Sequence, residues 1–146
     1  MEPFWSSQWH ALCGRCFGAQ GYATLSRAEK AWINVRALID STNNGGLISF
    51  FYNSPADTLA DALDALTMLD LTDARLEVER VCALFGAYVP ATVELRNEVI
   101  ASWPDYDEAR ERVLDDVDTF LYLHMDMIEQ QLEDFIRAEG LASEPH

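Results

Sequence analysis

The chain has 146 residues, 49% of them apolar and only seven glycine, which suffices for one ordinary buried core and argues against disorder. Twenty-five Asp and Glu against 10 Lys and Arg leave a formal net charge of -15. That balance disfavours direct binding to nucleic acid, where cations must displace the phosphate counterions, and to anionic lipid through a basic amphipathic helix.

Apolar residues at helical spacing run through almost the whole sequence. Residues 2–17 set Trp5, Trp9, Leu12, Cys13 and Cys16 on one face. After the link GAQGYATL, Ser26 and Glu29 have the spacing of a capping box, in which each side chain satisfies the other residue's backbone amide. The helix they open carries Ile33, Val35, Leu38 and Ile39 and is expected to end at Asn43-Asn44-Gly45-Gly46, where glycine permits left-handed angles. Next come Phe50, Phe51 and Tyr52, read as an aromatic plug beneath a bend. Ser54 is the expected N-cap of the following helix, with Pro55 in its first position. Thr72 is expected to cap another helix, which Gly86 ends. A shorter helix over 91–102 stops before Trp103-Pro104, because the residue preceding proline avoids helical angles. The last segment, 107–139, is expected to bend or break within 113–116.

No strand-like alternation of useful length interrupts this pattern. The expectation is an all-α fold, a single-domain compact bundle of about six or seven helices over residues 1–140, with 141–146 as a flexible tail. No apolar run approaches the roughly 20 residues of a membrane-spanning helix. The acidic start at Glu2 does not read as a secretory leader, so a cytoplasmic location is expected.

Few residues carry chemistry. His10, Cys13 and Cys16 form H-x-x-C-x-x-C, and on a helix a metal reaches two of them. A structural zinc needs four ligands, and only the isolated Cys82 and His124 remain. The alternative is two small apolar cysteines on a buried face with His10 at its edge. There is no H-E-x-x-H, no E-x-x-H pair and no Gly-rich loop with lysine. The chain therefore reads as non-enzymatic, with no catalytic residue, no metal and no cofactor. A small metal or redox protein built on His10, Cys13 and Cys16 is kept as the alternative from another class.

Acids are the stronger pattern, and they are concentrated toward the C-terminus. From Asp105 onward there are 13 acids and three Arg, a net of -10; the preceding residues have 12 acids and seven bases, a net of -5. Asp115, Asp118, Asp126, Glu129 and Glu133 recur at spacings of three and four, with Tyr122 filling the gap. They flank the apolar stripe of Leu114, Val117, Leu121, Ile128, Leu132 and Phe135, so they form either a solvated face or a partner-binding one. Asp57, Asp61 and Asp64 make a shorter row, with Asp70 and Asp73 beyond it. Carboxylates at this spacing rise about 5 Å apart along a helix. The phosphates of one DNA strand step by ~3.4 Å, a comparable scale.

The stretch NNGGLISFFYNS, followed by LADALDALTMLDL, resembles the family of DNA-mimic proteins, small acidic all-helical bacterial proteins often catalogued as a domain of unknown function. Asn44, Gly45, Gly46, Phe50, Phe51, Asn53 and Ser54 match the family motif, while Leu47 and Ser49 replace its usual Phe and Gln. The resemblance extends from the Ser26 helix to LEDFIRAEG. It implies an all-helical fold in which the motif is architectural. It also implies an acidic surface that imitates DNA and occupies the DNA-binding face of a transcription factor or other nucleic-acid-binding protein. The eight acids of the two rows are the candidates for that surface. A toxin-neutralising module would use the same acids on a different target, and Trp5 or Trp103 would serve a homodimer if exposed.

Overall fold

The computed structural model describes residues 2–17 and 19–144. Among them are nine α-helices and no strand. These are α1 (Ser6–Cys16), α2 (Ala19–Ala23), α3 (Arg27–Gly45), α4 (Ile48–Phe51), α5 (Leu59–Met68), α6 (Thr72–Cys82), α7 (Val93–Ser102), α8 (Glu108–Leu123) and α9 (Met125–Ala138). Two 3-10 turns, Ser54–Thr58 and Ala83–Phe85, complete the order. The all-α bundle agrees with expectation, but the count of six or seven helices is corrected to nine.

The reasons for the higher count are local. α2 and α4 span five and four residues, too few for a helical period to show in sequence. The long C-terminal segment also divides in two, at His124 and not within 113–116, which lie inside α8. His124 (φ -105°, ψ 8°) closes α8 and opens α9. Its Nδ1 lies 2.8 Å from the Phe120 carbonyl, and its ring stacks on Phe120 at 4.2 Å.

The bundle assembles around α3. The capping box forms as its spacing requires: Glu29 N–H donates to Ser26 Oγ and Ser26 N–H to Glu29 Oε1, both at 3.0 Å. Ala31, Trp32, Val35, Leu38, Ile39 and Thr42 are buried at helical spacing. α3 thereby packs against α4, α5, α8 and α9, while α6 bridges α5 and α8. On another side Trp32 meets Trp5 and Trp9 of the N-terminal segment, with ring centroids 6.2 and 5.5 Å away.

α3 runs farther than its glycines suggest. Asn43, Asn44 and Gly45 all remain helical, and only Gly46 takes a positive φ, 82°. The chain then turns directly into α4, which buries Phe50 and Phe51 completely. Burying each phenyl group contributes about 1.5–3 kcal/mol. Phe51 extends the packing through Phe85 to Trp103, at 5.4 and 5.3 Å between rings.

Several caps differ from expectation. Asn53, not Ser54, precedes the 3-10 turn, and Leu71, not Thr72, precedes α6; neither uses its side chain to cap. Pro55 does sit in the first turn of its helix. Gly86 has φ 100° after the second 3-10 turn. Thr92 caps α7 by accepting the Leu95 amide, and Trp103 is extended before Pro104. Beyond α9, Leu141 packs against the core and Ala142 is buried. Pro145 and His146 of the expected tail lie outside the described residues, as do Met1 and Gly18 of the link.

Candidate functional site

The acids of the C-terminal row lie along the seam where α8 and α9 run beside α3. At one end, Asp118 accepts the Leu47 amide (2.9 Å) at the start of α4. Its other oxygen fills the space that a Gly46 side chain would take: a Cβ there would stand 2.6 Å from Oδ2. Gly46 is thus fixed twice, by its left-handed angle and by this carboxylate. Burial raises the Asp118 pKa, the Leu47 hydrogen bond opposes the rise, and the charge of Asp115 adds to it.

Farther along the seam, Tyr122 donates to the Thr42 carbonyl (2.8 Å). Arg36 bridges Asp40 (3.0 Å) and Glu129 (3.2 Å) beneath the ring of Trp5. Glu133 accepts Trp5 Nε1 at 3.4 Å and lies 4.0 Å from Arg137. Asp115 and Asp126 are exposed and make no hydrogen bond or ion pair among the described residues.

The shorter row is tied into the fold at every member. Arg96 of α7 is wholly buried. Its Nε donates to Phe51 O (2.7 Å), Nη1 to Pro90 O (3.1 Å) and Nη2 to Asn53 O (3.0 Å). Asp57 supplies the counter-charge at 2.6 Å. This arginine clamps the carbonyls at the end of the Asn-Gly-Gly segment. Sequence reasoning missed it, because Arg96 stands between Glu94 and Glu98 on a helix with little apolar periodicity, and nothing there signals burial. Asp61 accepts the Tyr22 hydroxyl (2.6 Å) in a chain that continues through Asn34 to Thr58. Burial and the Asp61 hydrogen bond together push the Tyr22 pKa up to about 12. Asp64 pairs with Arg27 at 2.9 Å on the surface.

The charge balance follows from these pairings. Every one of the nine arginines forms an ion pair with an acid of the same chain, and the single lysine, Lys30, lies 5.2 Å over the Tyr22 ring. Apart from Lys30, the uncompensated charge is carboxylate. It is spread beyond the rows: Asp70, Asp73, Glu94 and Glu98 also lack partners among the described residues. Part of the acidity is helix chemistry, since Asp107 caps α8 through the Arg110 amide and Glu108 and Glu111 follow in its positive first turn.

The remaining motif residues divide by role. Phe50 and Phe51 fill the core, Asn53 Nδ2 bonds the Ser49 carbonyl (2.7 Å), and Ser54 begins the 3-10 turn. Asn44 and Gly45 are exposed on the last turn of α3. Leu47 and Ser49, which depart from the family's usual residues, are both buried; Ser49 Oγ lies 2.7 and 2.8 Å from the carbonyl oxygens of Ser41 and Gly46, between which its one O–H is shared. His10 is exposed, while Cys13, Cys16 and Cys82 are half-buried free thiols. Burial raises the Cys13 pKa and lifts that of Cys82 to about 11, leaving both as thiols. Among the described residues no three His, Cys, Asp or Glu side chains are placed to hold a metal, so no metal or redox site supports the alternative. Nor is any described helix long and apolar enough to cross a membrane.

An acidic all-helical bundle whose arginines are all paired with its own acids defines a class of protein with a surplus of carboxylates at its surface. Residues 23–139 match the family described as DMP19-like protein, and the chain belongs to that family. This is the family that the Asn-Gly-Gly motif resembled, and membership makes the chain a non-enzymatic protein. No curated protein and no solved structure is matched.

Proposed function

We propose that the protein is a DNA mimic: an acidic binding protein that occupies the basic DNA-binding surface of a transcription factor or another nucleic-acid-binding protein in the cytoplasm. The observation that carries this reading is the state of the cations. All nine arginines are paired with acids of the same chain and Lys30 lies over an aromatic ring, so even where Arg15, Arg27 and Arg112 reach the surface each is matched by a carboxylate and the surplus charge is negative. Such a surface repels nucleic acid and steers a basic protein toward it. Membership of the DMP19-like family supports the same reading. Asp115 and Asp126 are the members of the two rows with carboxylates free to take the place of phosphates, while Asp64, Glu129 and Glu133 sit in partly exposed pairs that a partner's cation can replace.

Capture from native lysate at low and high salt, followed by competition with duplex DNA, tests the proposal. A basic DNA-binding protein should be retained at low salt and released both by salt and by the duplex. Replacing Asp115 and Asp126 together by Asn should weaken retention and flatten its salt dependence. A partner that holds duplex DNA and this protein at the same time rules out mimicry and favours the toxin-neutralising alternative.

A further inference from the structure

An open groove of about 660 Å³ lies between α1, α3 and the α4 to 3-10 segment. Trp9, Ile33, Ala37 and Pro55 give it an apolar floor, and Asp40, Asn44 and Asn53 stand at its rim. It continues toward Cys13, Cys16 and Phe17, and Phe17 is 84% exposed. Three side chains of this groove keep polar capacity that the fold does not use. Asn44 makes no side-chain hydrogen bond among the described residues, and Asn53 commits only its Nδ2, which leaves its oxygen free. Asp40, although paired with Arg36, keeps 55% of its side chain exposed, whereas Arg36 lies at 13% beneath Trp5. The rim therefore presents to solvent a carboxylate and amide groups, and no base lines the groove.

We infer that this groove seats an apolar side chain flanked by Lys or Arg, carried on an exposed segment of the basic partner. The inference rests on the function proposed above and gives that partner a second determinant besides charge. Charge complementarity selects the occupant. A second copy of this chain brings another -15 charges to a rim that is already acidic, while a Lys- or Arg-flanked segment pairs with Asp40 and hydrogen-bonds to Asn44 and Asn53. The apolar floor then discriminates among basic segments, which a field of carboxylates alone does weakly. The groove also lies next to the acidic seam, since Arg36 joins Asp40 on its rim to Glu129 of α9. One partner surface can engage both.

Two synthetic peptides of equal positive charge, one with Leu and one with Ser between its lysines, separate these contributions by fluorescence anisotropy. The Leu peptide should bind about tenfold more tightly, the effect of one buried aliphatic side chain. Ala37→Gln, which places a neutral amide on the groove floor, should erase that preference and leave binding of the Ser peptide unchanged. Asn44→Ala, at an exposed position, should weaken both peptides without loss of folding as judged by circular dichroism. Equal affinity of the native protein for the two peptides, or a preference that survives Ala37→Gln, overturns the inference while leaving the acidic reading intact. Failure of both peptides to bind at low salt removes the acidic reading as well. Sedimentation showing a dimer that Ala37→Gln dissociates assigns the groove to self-association and overturns the inference.

Discussion

The two acidic rows look alike in sequence and serve different ends in the fold. On the 3-10 turn and α5, each carboxylate has a partner inside the chain: Asp57 balances a buried arginine, Asp61 holds a tyrosine hydroxyl, and Asp64 pairs with Arg27. Along α8 and α9 the engagement is graded. Asp118 is built into the Gly46 corner, Glu129 and Glu133 share their cations at the α3 seam, and Asp115 and Asp126 face solvent without partners. A helical row of acids is therefore not one surface. What each carboxylate can offer a partner depends on which cation or amide the tertiary fold has already placed against it.

Arg96→Ala should produce the largest effect. It strips the Phe51, Asn53 and Pro90 carbonyls of their donor and leaves a buried void, at a cost of about 3–5 kcal/mol in urea denaturation. Asp64→Ala, in the same row but in a surface pair, should change stability by less than about 1 kcal/mol. Comparable losses in the two variants would erase the distinction between buried and surface members.

Gly46→Ala follows, at about 2–4 kcal/mol, because the left-handed angle is strained for alanine and the new methyl displaces the Asp118 carboxylate from the Leu47 amide. Combining it with Asp118→Ala should recover the steric part and leave the backbone part, which a double-mutant cycle reads directly. Strict additivity would mean that the carboxylate does not crowd position 46.

The smallest effect is a titration. The raised Asp118 pKa means that the folded protein holds this proton more tightly than the unfolded chain does. Its contribution to stability is fully present below the ordinary aspartate pKa and is lost as pH rises through the folded value. Carboxyl carbon shifts should place the Asp118 midpoint above the ordinary aspartate value. Asp115→Asn should lower it, because the neighbouring charge contributes to the shift. An unmoved midpoint would show that burial alone sets it.

The fold was largely legible where local chemistry is self-contained. The Ser26 and Glu29 side chains satisfy each other's amides, so their spacing alone located the start of α3. The start of α8 was equally readable, since Asp107, where the last segment was expected to begin, caps it through an amide three residues on. The break at His124 was not, because neither a glycine nor a proline marks it; an imidazole folded back on the preceding turn takes their place. Asn43 and Asn44 read as helix breakers, yet α3 passes through both. Buried contacts on its inner face at Thr42 and the Asp118 corner one turn farther on hold the backbone there. For the candidate surface, sequence located the acids but could not say which of them are occupied.

By itself the sequence determined the class. Helical periodicity, capping signals and a surplus of fifteen negative charges require an all-α acidic protein, and the Asn-Gly-Gly-Phe-Phe stretch identifies its family. Only the tertiary structure decided how the charge is apportioned. Pairing depends on distances between side chains far apart in the chain, such as Arg96 with Asp57 or Arg36 with Glu129, and no local periodicity encodes them. The groove has the same origin: α1, α3 and the turn after α4 each contribute one wall, and none of them is a site until the core brings them together.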